Sequence, residues 1–154
     1  MTAMHVIQDF LDRKRFAMVG VSQTSRDFSR ILFREFRDRG YDPVPVNPAA
    51  KEIEGRPCFA RVQDIQPPVD GALLMTSPGV TDTVVHDCAE AGITHIWMHR
   101  GGGQGAVSAD AVRFCESSGI SVIPGECPFM FLKDSGWFHR IHGLIRKITG
   151  TYPR

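Results

Sequence analysis

A chain of 154 residues, 42% hydrophobic and 23% charged, suits one folded domain with a sizeable core. Eighteen basic residues against 17 acidic ones leave a formal charge of +1, so no global field directs the molecule to nucleic acid. No apolar run approaches the roughly 20 residues that span a bilayer, so no transmembrane segment is expected.

The first segment carries His5, Asp9, Asp12 and Arg13 where a signal peptide needs an apolar stretch, so a cytoplasmic location is the expectation. Val6, Ile7, Phe10 and Leu11 recur there at helical spacing. The apolar run Phe16–Val21 predicts a buried strand. Phe28, Ile31, Leu32 and Phe36 then form the stripe of an amphipathic helix that Gly40 can close.

Val44-Pro45-Val46 predicts a second strand, marginal or partly at an edge because proline removes ladder donors. After Pro67-Pro68 comes a third strand over Gly71–Met75, a helix over Thr81–Ala91 closed by Gly92, and a fourth strand over Thr94–Met98. Ser108–Ser118 gives another helix, and Ser121–Ile123 a fifth strand. This alternation predicts an α/β fold: a Rossmann-like, doubly wound, five-stranded parallel sheet over residues 1–135. Trp137, Ile141, Leu144, Ile145 and Ile148 share one face, which predicts an extra C-terminal amphipathic helix over 136–154 that packs on the domain or on a second subunit.

In such sheets ligands bind beyond the C-terminal strand ends, where strand order reverses. The first strand runs into Gly20-Val21-Ser22-Gln23-Thr24-Ser25-Arg26 immediately before a helix. Free N–H groups at a helix start can hold phosphate, and Arg26 or Arg30 can add a charge-assisted contact. The plainer alternative is that Ser25 or Asp27 caps the helix and the arginines are solvated. A dinucleotide site calls for GxGxxG and an acidic residue after the second strand, and neither is present; nor is GxxxxGK[ST]. NAD and ATP are disfavoured.

Several stretches together resemble the small CoA-binding proteins, whose domain is shared with succinyl-CoA synthetase-type ligases. They are Ala17–Ser22 (AMVGVS), Gly40–Pro48 (GYDPVPVNP), Glu52–Pro57 (EIEGRP), Asp64-Ile65, Pro68–Asp70, Gly92-Ile93, Trp97 and Cys127-Pro128. The resemblance implies coenzyme A or an acyl-CoA as the small-molecule ligand. It implies that Gly20, Val21 and Ser22 meet the CoA phosphates, helped by Arg26 and Ser29. Asn47 and Pro48 would line the adenosine side; Thr76, Ser77 and Pro78 would wall the nucleotide or the start of the pantetheine. Individually, Asn47-Pro48 also suits a plain turn and Thr76 a cap.

The stretch His99–Gly105 is longer and richer in glycine than that family's pattern, and suits either an anion nest beside Arg100 or a surface turn. Cys127 falls at the ligand edge, where a thiol can form a mixed disulfide or act as a nucleophile, although a structural turn is the commoner use of Cys-Pro. Cys58, Cys88, Cys115 and Cys127 form no CxxC and are expected to be reduced. His139 and His142 lack a second local ligand pair and suit the basic face of the tail helix better than a metal site. No catalytic constellation stands out, and the chain has no room for an ATP-grasp domain. The expected function is a non-catalytic carrier, sensor or regulatory module for CoA. The alternatives are an enzyme working through Cys127, and an interaction domain that has lost its ligand and uses the tail helix to form a homodimer or to bind a partner protein.

Overall fold

A computed structural model describes residues 3–101 and 103–132. Helix α1 (Met4–Leu11) leads into strand β1 (Arg15–Val19), helix α2 (Phe28–Asp38) and strand β2 (Asp42–Val46). A short hairpin follows, β3 (Glu52–Ile53) and β4 (Arg56–Pro57). The chain then alternates through β5 (Gly71–Leu74), α3 (Pro78–Glu90), β6 (His95–Met98), α4 (Ala109–Ser117) and β7 (Ser121–Pro124). Among the described residues the main sheet has five strands in the order β2-β1-β5-β6-β7, every neighbouring pair parallel. The helix expected over 136–154 lies outside the described residues.

Alternation along each strand builds two cores, because successive side chains leave a strand on opposite faces. Phe16 and Met18 of β1, Leu73 of β5 and Trp97 of β6 pack with α1, α2 and the segment ending at Leu132. Their neighbours Ala17, Val19, Ala72, Leu74, Ile96 and Met98 pack with α3 and α4 on the other face. Trp97 anchors the first core: Phe10 meets it edge-on at 5.4 Å, and its Nε1 donates to the carbonyls of Gly125 (2.9 Å) and Glu126 (3.1 Å).

Strand β2 is an edge strand, as its prolines require, yet all five of its residues pair with β1. Pro43 and Pro45 turn their backbone to the outer side, where no N–H is missed. Their carbonyls there accept from Arg56 Nη1 (3.3 Å) and the Phe59 N–H (3.0 Å), which covers the edge. The helices end as the glycines predict; Gly40, for instance, closes α2 at φ +89°. Helix α3 begins at Pro78, three residues before the hydrophobic pattern marks it, because proline is preorganised for the first helical turn.

Candidate functional site at the strand-order reversal

The chain steps from β1 outward to β2 and then returns to place β5 on the other side of β1. The loops that leave β1 and β5 therefore diverge to opposite faces of the sheet and leave a crevice between them. A cleft of about 350 Å³ lies there. Its floor is Val19 and Gly20 at the end of β1, with Val46 at the end of β2 and Asn47 and Pro48 after it. Thr76, Val80, Val84 and Asp87 form the α3 wall, and Ala60, Arg61 and Val62 close the outer side. The lining is mostly apolar, with one cation and one carboxylate, a composition suited to a flat heterocycle held at a polar rim.

Gly20 is the point on which the crevice depends. Its φ is +91°, and a Cβ there would stand 2.7 Å from the carbonyl oxygen of Met75 and 3.0 Å from its carbon. Only glycine lets the ends of β1 and β5 approach this closely. Beyond it the loop is held by its own side chains. The Ser22 N–H donates to Ser29 Oγ (2.9 Å), Ser22 Oγ donates to Asp27 Oδ2 (2.5 Å) and accepts from the Thr24 N–H (3.0 Å). Among the described residues, the backbone N–H groups of Gln23, Ser25 and Arg26 have no hydrogen-bond partner. Three free donors in front of α2 are what an anion at a helix start requires.

The expected site residues fall into three groups. Gly20, Asn47, Pro48 and Thr76 line the cleft together. Ser22, Arg26 and Ser29 lie on the adjoining loop and first turn of α2; Arg26 is exposed and Ser29 is buried at the edge of the core. Val21, Ser77 and Pro78 stand apart from the cleft: Val21 is a fully buried core side chain on the α1–α2 face, and Ser77-Pro78 opens α3. Two polar groups in the lining are also bonded to protein. Asn47 Nδ2 donates to the Val21 carbonyl (2.9 Å) while its Oδ1 accepts from the Ala49 N–H (2.8 Å). Thr76 Oγ1 meets Thr81 Oγ1 at 2.7 Å.

Arg30 is turned away from the loop's open side. Its guanidinium binds Glu54 and the carbonyls of Ser22 and Gln23. Arg61, Val80 and Asp87 escaped sequence reasoning. Val80 lies just ahead of the helix that the hydrophobic pattern marks, and its 50% exposure is the only sign of a wall rather than a core. The i, i+4, i+7 spacing of Val80, Val84 and Asp87 was the available signal.

Cys127 is fully buried, so its thiol is not open to a ligand or reagent. Burial also pushes up the thiols of Cys88 and of Cys115, the latter to about 11, so neither is a ready nucleophile. The glycine-rich loop doubles back on itself: the Ala106 N–H donates to the His99 carbonyl (2.8 Å) and Arg100 Nε to the Gly103 carbonyl (2.8 Å). Among the described residues no helix is long and apolar enough to cross a membrane, and no cluster of three potential metal ligands occurs.

An open parallel sheet with helices on both faces, a glycine-pinned loop and a cleft at the strand-order reversal defines a Rossmann-like ligand-binding domain. The CoA binding domain family matches residues 14–133, and the chain belongs to that family. An uncharacterized protein of Bacillus subtilis, YneT, is 27% identical over 122 residues, 79% of this chain and 87% of that protein. An ADP-forming acetate–CoA ligase of Methanocaldococcus jannaschii is 26% identical over 80 residues, covering 52% of this chain and 11% of the ligase. In fold, the chain matches a hypothetical protein from Pyrococcus horikoshii with a TM-score of 0.74 at 24% identity, over 82% of this chain and 87% of that one.

Proposed function

We propose that the protein binds coenzyme A or an acyl-CoA across the crevice between β1 and β5 and acts as a carrier, sensor or regulatory module rather than as a catalyst. The observation that carries this reading is the pairing of two surfaces suited to the two ends of a nucleotide. The apolar cleft over Val19, Val46, Val80 and Val84 suits an adenine ring. The loop ahead of α2 offers the free N–H groups of Gln23, Ser25 and Arg26 to phosphate. Family membership supports CoA over other nucleotides. The absence of an acidic residue after β2, where Asn47-Pro48 stands, also argues against NAD. A non-catalytic role accords with the burial of Cys127 after the last strand and with the raised pKa of Cys58, whose half-buried thiol lies 3.7 Å from the Asn47 carbonyl.

Native mass spectrometry of freshly purified protein, followed by calorimetric titration with CoA and acetyl-CoA, tests the reading. An adduct of CoA or acyl-CoA mass, or saturable binding with a micromolar Kd, is the expected result. Protein that is bare and silent to both ligands at millimolar concentration would overturn it. Turnover of an acyl-CoA by the purified protein would overturn the non-catalytic part alone.

A further inference from the structure

The hairpin between β3 and β4 turns through Glu54 (φ +52°) and Gly55 (φ +76°). Two successive left-handed residues make the tight turn that suits a twisted hairpin, and Asn or Asp is the ordinary choice at the first. Glutamate is poorly suited to that backbone, so its side chain must have a use. That side chain is only 15% exposed and lies against α2, where Arg30, Arg34 and Arg37 follow one another at i, i+4 and i+7. Oε2 accepts from Arg30 Nε (3.1 Å), from Arg30 Nη2 and from Arg34 Nη1 (3.1 Å), while Oε1 accepts from Arg37 Nη1 (3.2 Å).

The other ends of two of these guanidiniums reach the loop ahead of α2. Arg30 Nη1 donates to the carbonyls of Ser22 (3.2 Å) and Gln23 (3.1 Å), and Arg34 Nη2 to the carbonyl of Ser25 (2.9 Å). A peptide unit is planar, and its C=O and the following N–H point in opposite directions. Drawing the Ser22 and Ser25 carbonyls toward the arginines therefore turns the N–H groups of Gln23 and Arg26 outward. Those are two of the three free donors of the loop.

We propose that Glu54 is a positioning residue for anion binding: by orienting Arg30 and Arg34, it fixes the loop carbonyls and so presents the Gln23 and Arg26 N–H groups to a phosphate of the ligand. This rests on the CoA reading for the identity of the phosphate, but not for the clamp itself. Arg30 and Arg34 act as struts.

Glu54→Gln keeps the side-chain shape and removes the charge that organises the arginines. Two readouts are needed. In the ligand-free protein, amide exchange of Ser22 and Thr24, whose N–H groups are bonded inside the loop, reports whether the loop is held. Titration with CoA and separately with adenosine reports whether the loss is confined to phosphate. The expected result is exchange about tenfold faster at both amides and CoA affinity about tenfold lower, the size of one charge-assisted hydrogen bond. Adenosine affinity should change less than twofold. Should Glu54→Gln not fold, Arg30→Lys keeps the cation, loses the bridge and should give the same pattern.

Parental exchange rates in the variant would overturn the clamp. Equal loss for CoA and adenosine would reduce Glu54 to a merely structural part. If the parent binds no CoA but the variant still loosens Ser22 and Thr24, the clamp stands and the ligand reading falls.

Discussion

Replacing Gly20 by alanine tests whether the crevice depends on a close approach of two strand ends. At φ +91° alanine enters a region that costs an L-residue roughly 1–2 kcal/mol. Its methyl would also stand 2.7 Å from the Met75 carbonyl oxygen, well inside contact distance. Neither backbone yields freely. The Gly20 N–H is bonded to the Val46 carbonyl at 3.0 Å, and the Met75 N–H to the Val19 carbonyl at 2.8 Å. Forcing extra volume into such packing costs about 1–3 kcal/mol more, which brings the total to about 2–5 kcal/mol. For a domain of this size that lowers Tm by roughly 5–15 °C. Gly40→Ala is the control, with φ +89° and nothing within 4 Å of the added carbon. It should lose only the backbone part, about 2–8 °C. Thermal unfolding followed by circular dichroism measures both, and CoA titration well below either Tm should show at least a tenfold loss for Gly20→Ala alone. A Gly20→Ala protein no less stable than Gly40→Ala would refute the steric argument.

Val80→Asp places a charge on the α3 wall at a half-exposed position, so calorimetry should show CoA binding weakened about tenfold while Tm moves by less than about 2 °C. Trp97→Phe removes the donor shared by the Gly125 and Glu126 carbonyls in a fully buried site. It should cost about 2 kcal/mol, read as a lower urea midpoint. Arg30 above all, with Arg34, holds the Glu54 carboxyl below its ordinary value of 4.5 against the opposing effect of burial. A lowered folded value means stability that is full above 4.5 and lost as pH falls through the folded value, so the parent's urea midpoint should drop more steeply below about pH 4.5 than that of Glu54→Gln. Thiol labelling of the native protein should modify Cys58 alone, slowly because burial raises its pKa, and all four cysteines after unfolding. A second native-state label on Cys127 would restore thiol chemistry to the site.

The architecture was legible because its signals are local. Period-2 and period-3.6 patterns, with glycine and proline at the joints, mark every strand of the main sheet and each described helix to within about three residues. The edge position of β2 was legible too, since Pro43 and Pro45 cannot serve a central ladder. The β3–β4 hairpin was not. Its strands are two residues each, too short for any period, and its turn uses Glu-Gly in place of the usual Asn-Gly.

The site was legible only as far as its backbone. Gly20 and the strand ends follow from topology, so Gly20, Asn47, Pro48 and Thr76 meet in one cleft. Side-chain roles depend on partners distant in sequence. Arg30 beside a phosphate-type loop has two chemically equal readings, ligand arm or strut, and its own neighbourhood cannot choose between them. The partner seen for Arg30 is Glu54, 24 residues away, delivered by a hairpin whose strands are too short to show a period. Asn47 shows the same dependence, since it lines the cleft while its amide also ties Val21 to Ala49. Polar residues near a binding loop satisfy the loop first, because leaving its buried backbone groups unpaired costs more than a single ligand contact returns. Under the proposed reading the donors for a phosphate are backbone N–H groups, which substitutions among Arg30, Arg34 and Glu54 would reach and side-chain truncation at Gln23 or Arg26 would not.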